Sequence, residues 1–139
     1  MLPACLVAVV GLWSILANNA GGWVWAPDEV NLPEAVATGD YAEVRRQLES
    51  GVDPNAPADV RKRLLGSKPV RVTPLQAAVW ARSPIMVKML IDGGAIVSST
   101  SLAVLKCMND ENNNHDVRVL LDAVPMGRGP SCSEVTVPR

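Results

Sequence analysis

Several residue types that build functional sites are scarce in this chain of 139 residues. It has one histidine, three cysteines and no phenylalanine. So few histidines and cysteines exclude a zinc site built from those ligands and a disulfide-rich scaffold. Thirteen Lys and Arg residues against fourteen Asp and Glu residues give a net charge of -1, so no overall basic field draws the chain to nucleic acid. We therefore expect no metal site and no nucleic-acid partner.

The length and composition indicate one folded domain. A domain typically holds about 100–200 residues, so separate cofactor and substrate lobes are not expected here. Hydrophobic residues make up 48% of the chain and charged residues 19%. This composition favours a buried core and differs from that of a wholly disordered chain.

The N-terminal segment is uncharged and mostly apolar. No charged side chain precedes Asp28, and residues 4–17 form an almost unbroken apolar run. As a helix this run would span roughly 21 Å, which suits the core of a signal peptide and falls short of the ~30 Å membrane interior. Extended to residue 25 the segment reaches spanning length, and Trp23 and Trp25 would be interfacial aromatic residues.

Two interpretations of residues 1–27 therefore stay open. A signal peptide is favoured by the small residues Ala20, Gly21 and Gly22 before a cleavage point at Trp23, although no Lys or Arg precedes the apolar run. An N-terminal membrane anchor is favoured by the length of the extended segment. Under either interpretation we expect an exported protein, periplasmic or secreted, or one that is attached to a membrane.

Residues 73–95 carry the strongest internal pattern. They begin with the letters TPLQAA and end with VKMLIDGGA. Thr73 is predicted to cap a helix whose first-turn Pro74 needs no amide partner, and Gly94 to end a second helix in the left-handed conformation. The segment resembles an ankyrin repeat, whose signature T-P-L-H-x-A opens the first of two helices. Gln76 stands where the signature has its histidine.

Two weaker copies of the same pattern flank this segment. The three copies occupy residues 31–55, 73–99 and 100–125. The family repeats about every 33 residues, and the departures in spacing fall where the family has loops. In the first copy, Glu43 and Arg46 replace apolar residues of the family, which is typical of a terminal repeat that faces water. The resemblance implies an all-α fold, namely a short ankyrin-repeat solenoid of three helical hairpins behind the N-terminal hydrophobic segment.

A basic insertion, residues 56–72, separates the first two copies. It holds five cations and one carboxylate, a local net charge of +4 that leaves -5 on the remainder. Such a patch attracts acidic proteins, phosphates or anionic headgroups, although a solvated loop is the simpler alternative. Leu64 and Leu65 are predicted to anchor the loop as one short helical turn. The five cations are Arg61, Lys62, Arg63, Lys68 and Arg71.

No arrangement of side chains in the sequence points to catalysis. Cys107, His115 and Asp116 are the residue types of a nucleophilic set, but no activating motif surrounds them. We interpret Cys107 as a buried apolar residue, and Asp116 or Asn114 as a helix cap. The run Asn109–Asn114 offers oxygen ligands without the spacing of a calcium loop, so we predict a solvated loop. We expect no catalytic, cofactor-binding or metal-binding residues and no enzymatic activity.

The C-terminal residues 126–139 are rich in Gly, Pro and Ser and have no helical period. They are predicted to form a flexible tail. If Cys5 is removed with a signal peptide, Cys107 and Cys132 remain as an even pair in an oxidising compartment. A disulfide between them, or one buried and one free thiol, both stay open.

The resemblance implies a non-enzymatic protein–protein interaction module, because ankyrin repeats bind other proteins through their fingers and first-helix faces. The predicted contact residues are Trp80, Arg82, Lys106 and the five cations of the insertion. Trp and Arg are frequent hot-spot residues in protein interfaces. Packing of Trp80 against the insertion is an equal alternative.

The expected partner is another protein, acidic where the insertion contacts it, and the membrane is a second partner if residues 1–27 are retained. Two alternative functions stay open. One is a membrane-anchored structural subunit that braces a larger complex. The other is an exported immunity or accessory protein.

Overall fold

The computed structural model describes residues 29–125 and 129–137, so the segment 1–27, predicted to be a signal peptide or membrane anchor, lies outside the described residues. The described part is mainly helical. Its elements are, in chain order, α1 (Leu32–Thr38), α2 (Tyr41–Glu49), β1 (Ala58–Val60), β2 (Val70–Val72), α3 (Pro74–Trp80), α4 (Pro84–Asp92), α5 (Ser99–Asn112) and α6 (His115–Asp122). No helix within this part of the chain combines the length and apolarity needed to cross a membrane.

Side chains at the helix starts satisfy the first backbone amides. Asn31 caps α1 by accepting a hydrogen bond from the amide of Glu34 at 3.0 Å, and Asp40 caps α2. The predicted cap of α3 is confirmed, since Thr73 accepts from the amide of Gln76. The Gln76 side chain in turn accepts from the amide of Thr73 at 2.9 Å, which completes a capping box.

The helices pack as three consecutive pairs. α1 packs on α2, α3 on α4 and α5 on α6, while α3 also contacts α1 and α5. The central helix α3 is therefore enclosed on several sides, and Ala77, Ala78 and Val79 are fully buried there. In the same pair, α4 ends at Asp92 and Gly94 has the predicted left-handed conformation, with φ of 96°. The largest fully buried side chains of the core include Val36, Val44, Met86, Leu90, Leu105 and Leu121.

The basic insertion contains an antiparallel β-hairpin, which corrects the prediction of a loop at this position. The described part of the chain is therefore mainly helical, not all-α as the sequence had predicted. Ala58 pairs with Val72 in the two-stranded register. Val60 and Val72 are buried while the central residue of each strand is exposed, the alternation that a half-buried hairpin requires. The expected apolar anchor is present in the connection, where Leu65 is buried, but the connection is a turn without the short helix predicted for it.

Helix α5 extends beyond the limits suggested by the sequence. It begins one residue before Thr100, with Ser98 as its cap. At its other end, the run Asn109–Asn114 forms the last turn of α5 and the connection to α6, so the prediction of a solvated loop is wrong. The side chains of this run have backbone partners that favour the helix: Asn109 donates to the carbonyl of Asn114 at 3.0 Å.

The described part of the C-terminal tail lies against α5. Cys132 forms a disulfide with Cys107, one of the two arrangements that the sequence left open, and their Cα atoms are 5.6 Å apart. At Gly129 an added Cβ would lie 3.1 Å from the Cβ of Ala103, so the tail backbone approaches the helix closely. Val137 packs at the edge of the hydrophobic core. This part of the predicted flexible tail thus contacts the third helix pair.

Candidate functional site

A groove of about 410 Å³ lies between the β-hairpin, the ends of two helices and the C-terminal tail. The hairpin, the end of α5, the tail and Trp80 at the end of α3 all contribute to its lining. Because four separate segments build it, the groove exists only in the folded chain. Its lining residues are Gly66, Ser67, Lys68, Val70, Trp80, Met108, Glu111, Asn112 and Val137.

A buried carboxylate anchors the hairpin to the helices. The Glu34 side chain, 4% exposed, accepts hydrogen bonds from the backbone amide and from Nε of Arg61, both at 2.9 Å. Asn31 donates to the carbonyl of Asp59 at 2.9 Å, and Arg71 lies 3.7 Å from the Asp59 carboxylate. A carboxylate this deeply buried requires such partners. Arg61 and Arg71, both predicted partner contacts, are therefore engaged within the fold.

Three other predicted contact residues carry charges that no described side chain neutralises. Lys62, Arg63 and Lys68 are exposed, and none of them forms an ion pair within the part of the chain that the structure describes. The connection that holds them is tightly turned, since Arg63 has φ of 80° and its amide donates to the carbonyl of Gly66 at 2.6 Å. The hairpin tip, Arg61 to Lys68, thus presents a positive surface beside the groove.

Trp80 is half-buried. It was expected either to contact a partner or to pack against the insertion, and its position fits each expectation in part. It packs against the hydrophobic core and lines the groove beside the hairpin. Arg82, two residues later, is exposed with φ of 56° in the turn between α3 and α4. Its carbonyl accepts a hydrogen bond from the side chain of Asn114 at 3.1 Å, and Arg82 does not line the groove.

Lys106 contacts α6 and is not part of the groove lining. Its ammonium lies 2.7 Å from the carboxylate of Asp122, and this hydrogen bond lowers the pKa of Asp122 below its usual range. Of the predicted contact residues, the structure thus brings Lys68 and Trp80 to one groove and places Lys106 elsewhere.

The candidate nucleophilic set does not assemble around a free thiol. The sulfur of Cys107 is bonded to Cys132. His115 and Asp116 are exposed at the start of α6, whose cap is Asn114, one of the two caps predicted. Among the described residues, no group of three or more His, Cys, Asp or Glu side chains is placed to hold a metal ion.

Sequence reasoning did not single out the residues that complete the groove. Met108 and Val137 are ordinary apolar residues at distant positions, and no local signal marks them as neighbours of Trp80. Glu34 was not singled out either, because a carboxylate in the first turn of a helix is usually exposed and favoured by the helix dipole.

A second groove of about 700 Å³ lies on the first helix pair. Among the described residues its charged lining is mostly acidic, with Arg46 as the one cation beside Glu29, Asp40, Glu43 and Asp53. Glu43 and Arg46, which were expected to face water, form an ion pair with a separation of 2.6 Å. The hydrogen bond from Arg46, assisted by Gln47, lowers the pKa of Glu43 to about 2. This acidic surface is less suited to an acidic partner than the hairpin tip.

Comparison of the chain with models of known protein families, with curated proteins and with solved structures finds no match.

Proposed function

We propose that the helices stack as a short ankyrin-repeat solenoid of three helical hairpins, which are the three helix pairs described above. The packing supports this proposal, because each first helix contacts its second and the first helices α1, α3 and α5 are in contact in that order. An ankyrin repeat buries its apolar surface in this way, against its own second helix and against the neighbouring repeat. The β-hairpin lies between the first two pairs, where the family has a finger.

Hydrogen bonds between successive pairs support the same stacking. The Asn55 side chain, in the turn after α2, accepts from the amide of Ile96 at 2.7 Å and donates to the carbonyl of Gly94 at 3.4 Å. Both partners lie in the turn after α4, so one amide side chain joins equivalent turns of neighbouring pairs. The bond from Asn114 to the carbonyl of Arg82 likewise joins the second and third pairs.

We propose that this stack is a non-enzymatic protein–protein interaction module that binds an acidic partner. The observation that carries the proposal is a juxtaposition: three exposed cations without an ion pair among the described residues, Lys62, Arg63 and Lys68, lie beside a groove lined by Trp80. Such charges attract and orient an acidic partner, while a partly exposed Trp supplies contact area.

Affinity capture from native membranes and soluble extracts tests this function. The triple variant Lys62→Glu, Arg63→Glu and Lys68→Glu should lose a partner that the wild-type protein retains at low salt, and raising the salt concentration should reproduce the loss. Its melting should match that of the wild type, because exposed charges add little to stability. Single Lys68→Glu should weaken the capture, whereas the control Arg45→Glu, also a charge reversal at an exposed position but on α2, should retain the partner.

The outcome that contradicts the interaction function is also defined. If the triple variant captures every partner and capture depends instead on residues 1–27, the helices only brace a membrane segment. In that case the hairpin is a tolerated insertion.

We also propose that the protein acts outside the cytoplasm or attached to a membrane. The Cys107–Cys132 disulfide supports this, since disulfides persist in oxidising compartments. Mass spectrometry of the endogenous N-terminus separates the two routes. A chain that begins near Trp23 indicates a cleaved signal peptide, and a retained Met1 indicates an anchor. A full-length protein that is freely soluble in the cytoplasm contradicts both.

A further inference from the structure

We propose that the groove beside Trp80 binds an extended acidic segment of a partner protein, with one apolar side chain inserted against Trp80 and Met108. This inference rests on the proposed interaction function and deepens it. It specifies both the shape and the chemistry of the bound segment.

The groove is suited to receive an apolar side chain. Val70, Trp80, Met108 and Val137 supply apolar lining from four different segments. Its volume of about 410 Å³ lies within the range of about 300–1,000 Å³ that is typical of ligand pockets. A methionine in the lining adapts to the shape of an inserted group, and a Trp in the same lining offers a large contact area.

The charges around the groove favour an acidic segment. Lys68 lines the groove itself, and Lys62 and Arg63 lie in the same hairpin connection. Glu111 of α5 also lines the groove, and it already has an interaction partner within the folded chain. The carboxylates of the bound segment should therefore lie toward the hairpin, with the apolar side chain pointing toward the helices.

The segment that fits is extended rather than helical or globular. The hairpin and the tail both line the groove, and the disulfide between Cys107 and Cys132 holds the tail beside α5. The hairpin and the tail are additions to the helix pairs, so a site that needs both is specific to this chain. A groove lined by four separate segments admits a single strand with alternating apolar and charged side chains more easily than a folded surface.

Fluorescence anisotropy with the full-length protein tests this inference. The probe is a dye-labelled peptide, Asp-Glu-Asp-Leu-Asp-Glu-Asp. Three control peptides replace the central Leu with Ser, the acidic residues with Ser and Gly, or the acidic residues with Lys. We expect saturable binding of the probe, at least roughly tenfold weaker binding of the Ser-centred and neutral peptides, and no binding of the basic peptide.

Protein variants then place the peptide in the groove. Lys68→Glu and Trp80→Ala should each weaken binding of the probe by roughly tenfold or more, and Trp80→Phe should restore most of the affinity. Because Lys68 is exposed, Lys68→Glu reports on the groove even if Trp80→Ala lowers stability. Arg45→Glu on α2 should leave the affinity unchanged.

Two results overturn the inference. One is an affinity that is independent of the central Leu, which would indicate attraction by charge alone. The other is a probe affinity unchanged by Lys68→Glu and Trp80→Ala, which would place the peptide elsewhere. If either occurs while the triple hairpin variant still loses its captured partner, the groove inference fails and the interaction function stands. If that variant also retains its partner, both fail.

Discussion

Removal of the disulfide should show how much the attachment of the tail contributes to the free energy of unfolding. The bond joins residues separated by 25 positions and encloses the end of α5, all of α6 and the start of the tail. A closed loop of this size restricts the conformational entropy of the unfolded chain. Without the disulfide, the free energy of unfolding should fall by about 3.5 kcal/mol. Because Cys132 is exposed whereas Cys107 is 5% exposed, Cys132→Ser breaks the bond without leaving a cavity in the core.

Urea and thermal unfolding followed by circular dichroism provide the assay. We expect Cys132→Ser to lower the free energy of unfolding by about 3.5 kcal/mol and the melting temperature by more than roughly 10 °C, since about 1 kcal/mol corresponds to 4–8 °C in a domain of this size. Reduced wild-type protein should behave like the variant, and reductant should have no further effect on the variant. A variant within about 0.5 kcal/mol of the oxidised wild type would refute the reasoning, because the tether would then not restrict the unfolded chain.

Three further predictions concern the helix stack. Ala78→Leu places a larger side chain at a fully buried position of α3 and should lower the free energy of unfolding by about 1–3 kcal/mol in urea titrations, whereas an unchanged midpoint would show that the site is loosely packed. Asn55→Ala removes both hydrogen bonds between the turn after α2 and the turn after α4, and should lower the free energy of unfolding by about 1–2 kcal/mol in the same titrations. A decrease below roughly 0.3 kcal/mol would argue against stacking through this residue. Because the pKa of Glu43 is lowered from 4.5 to about 2, its ion pair stabilises the fold above pH 4.5, and that contribution is lost as the pH falls through about 2. Glu43→Gln should therefore flatten the pH dependence of the urea midpoint across this window. An equally steep pH dependence in wild type and variant would contradict the role given to the Glu43 ion pair.

The second helix pair was the most predictable part of the fold. Thr73, Pro74 and Gly94 act on backbone groups within a few residues, and the structure shows the predicted cap at the first and left-handed φ at the last. Such local effects are written in adjacent residues and need no distant partner. The mainly helical character follows from similar signals in each copy.

The hairpin and the end of α5 were predicted incorrectly because their signals are weak or compete with others. Strands of three residues are too short for an alternating pattern to be recognised among charged residues. A run rich in Asn favours loops, yet Asn109 and Asn114 have hydrogen-bond partners in the folded chain that stabilise the helix end and the next cap.

The charge of the hairpin tip could be read directly from the sequence, since side-chain charges are set by residue type. Which of those charges remain available to a partner depends on distant residues: Glu34 is 27 positions from the Arg61 it binds, while Lys68 has no ion-pair partner in the described part of the chain. The groove depends on folding in the same way, because Trp80, Met108 and Val137 are joined by helix packing and a disulfide. Local composition therefore sets the charge and the helices, whereas the shape of the site comes from contacts between residues far apart in the chain.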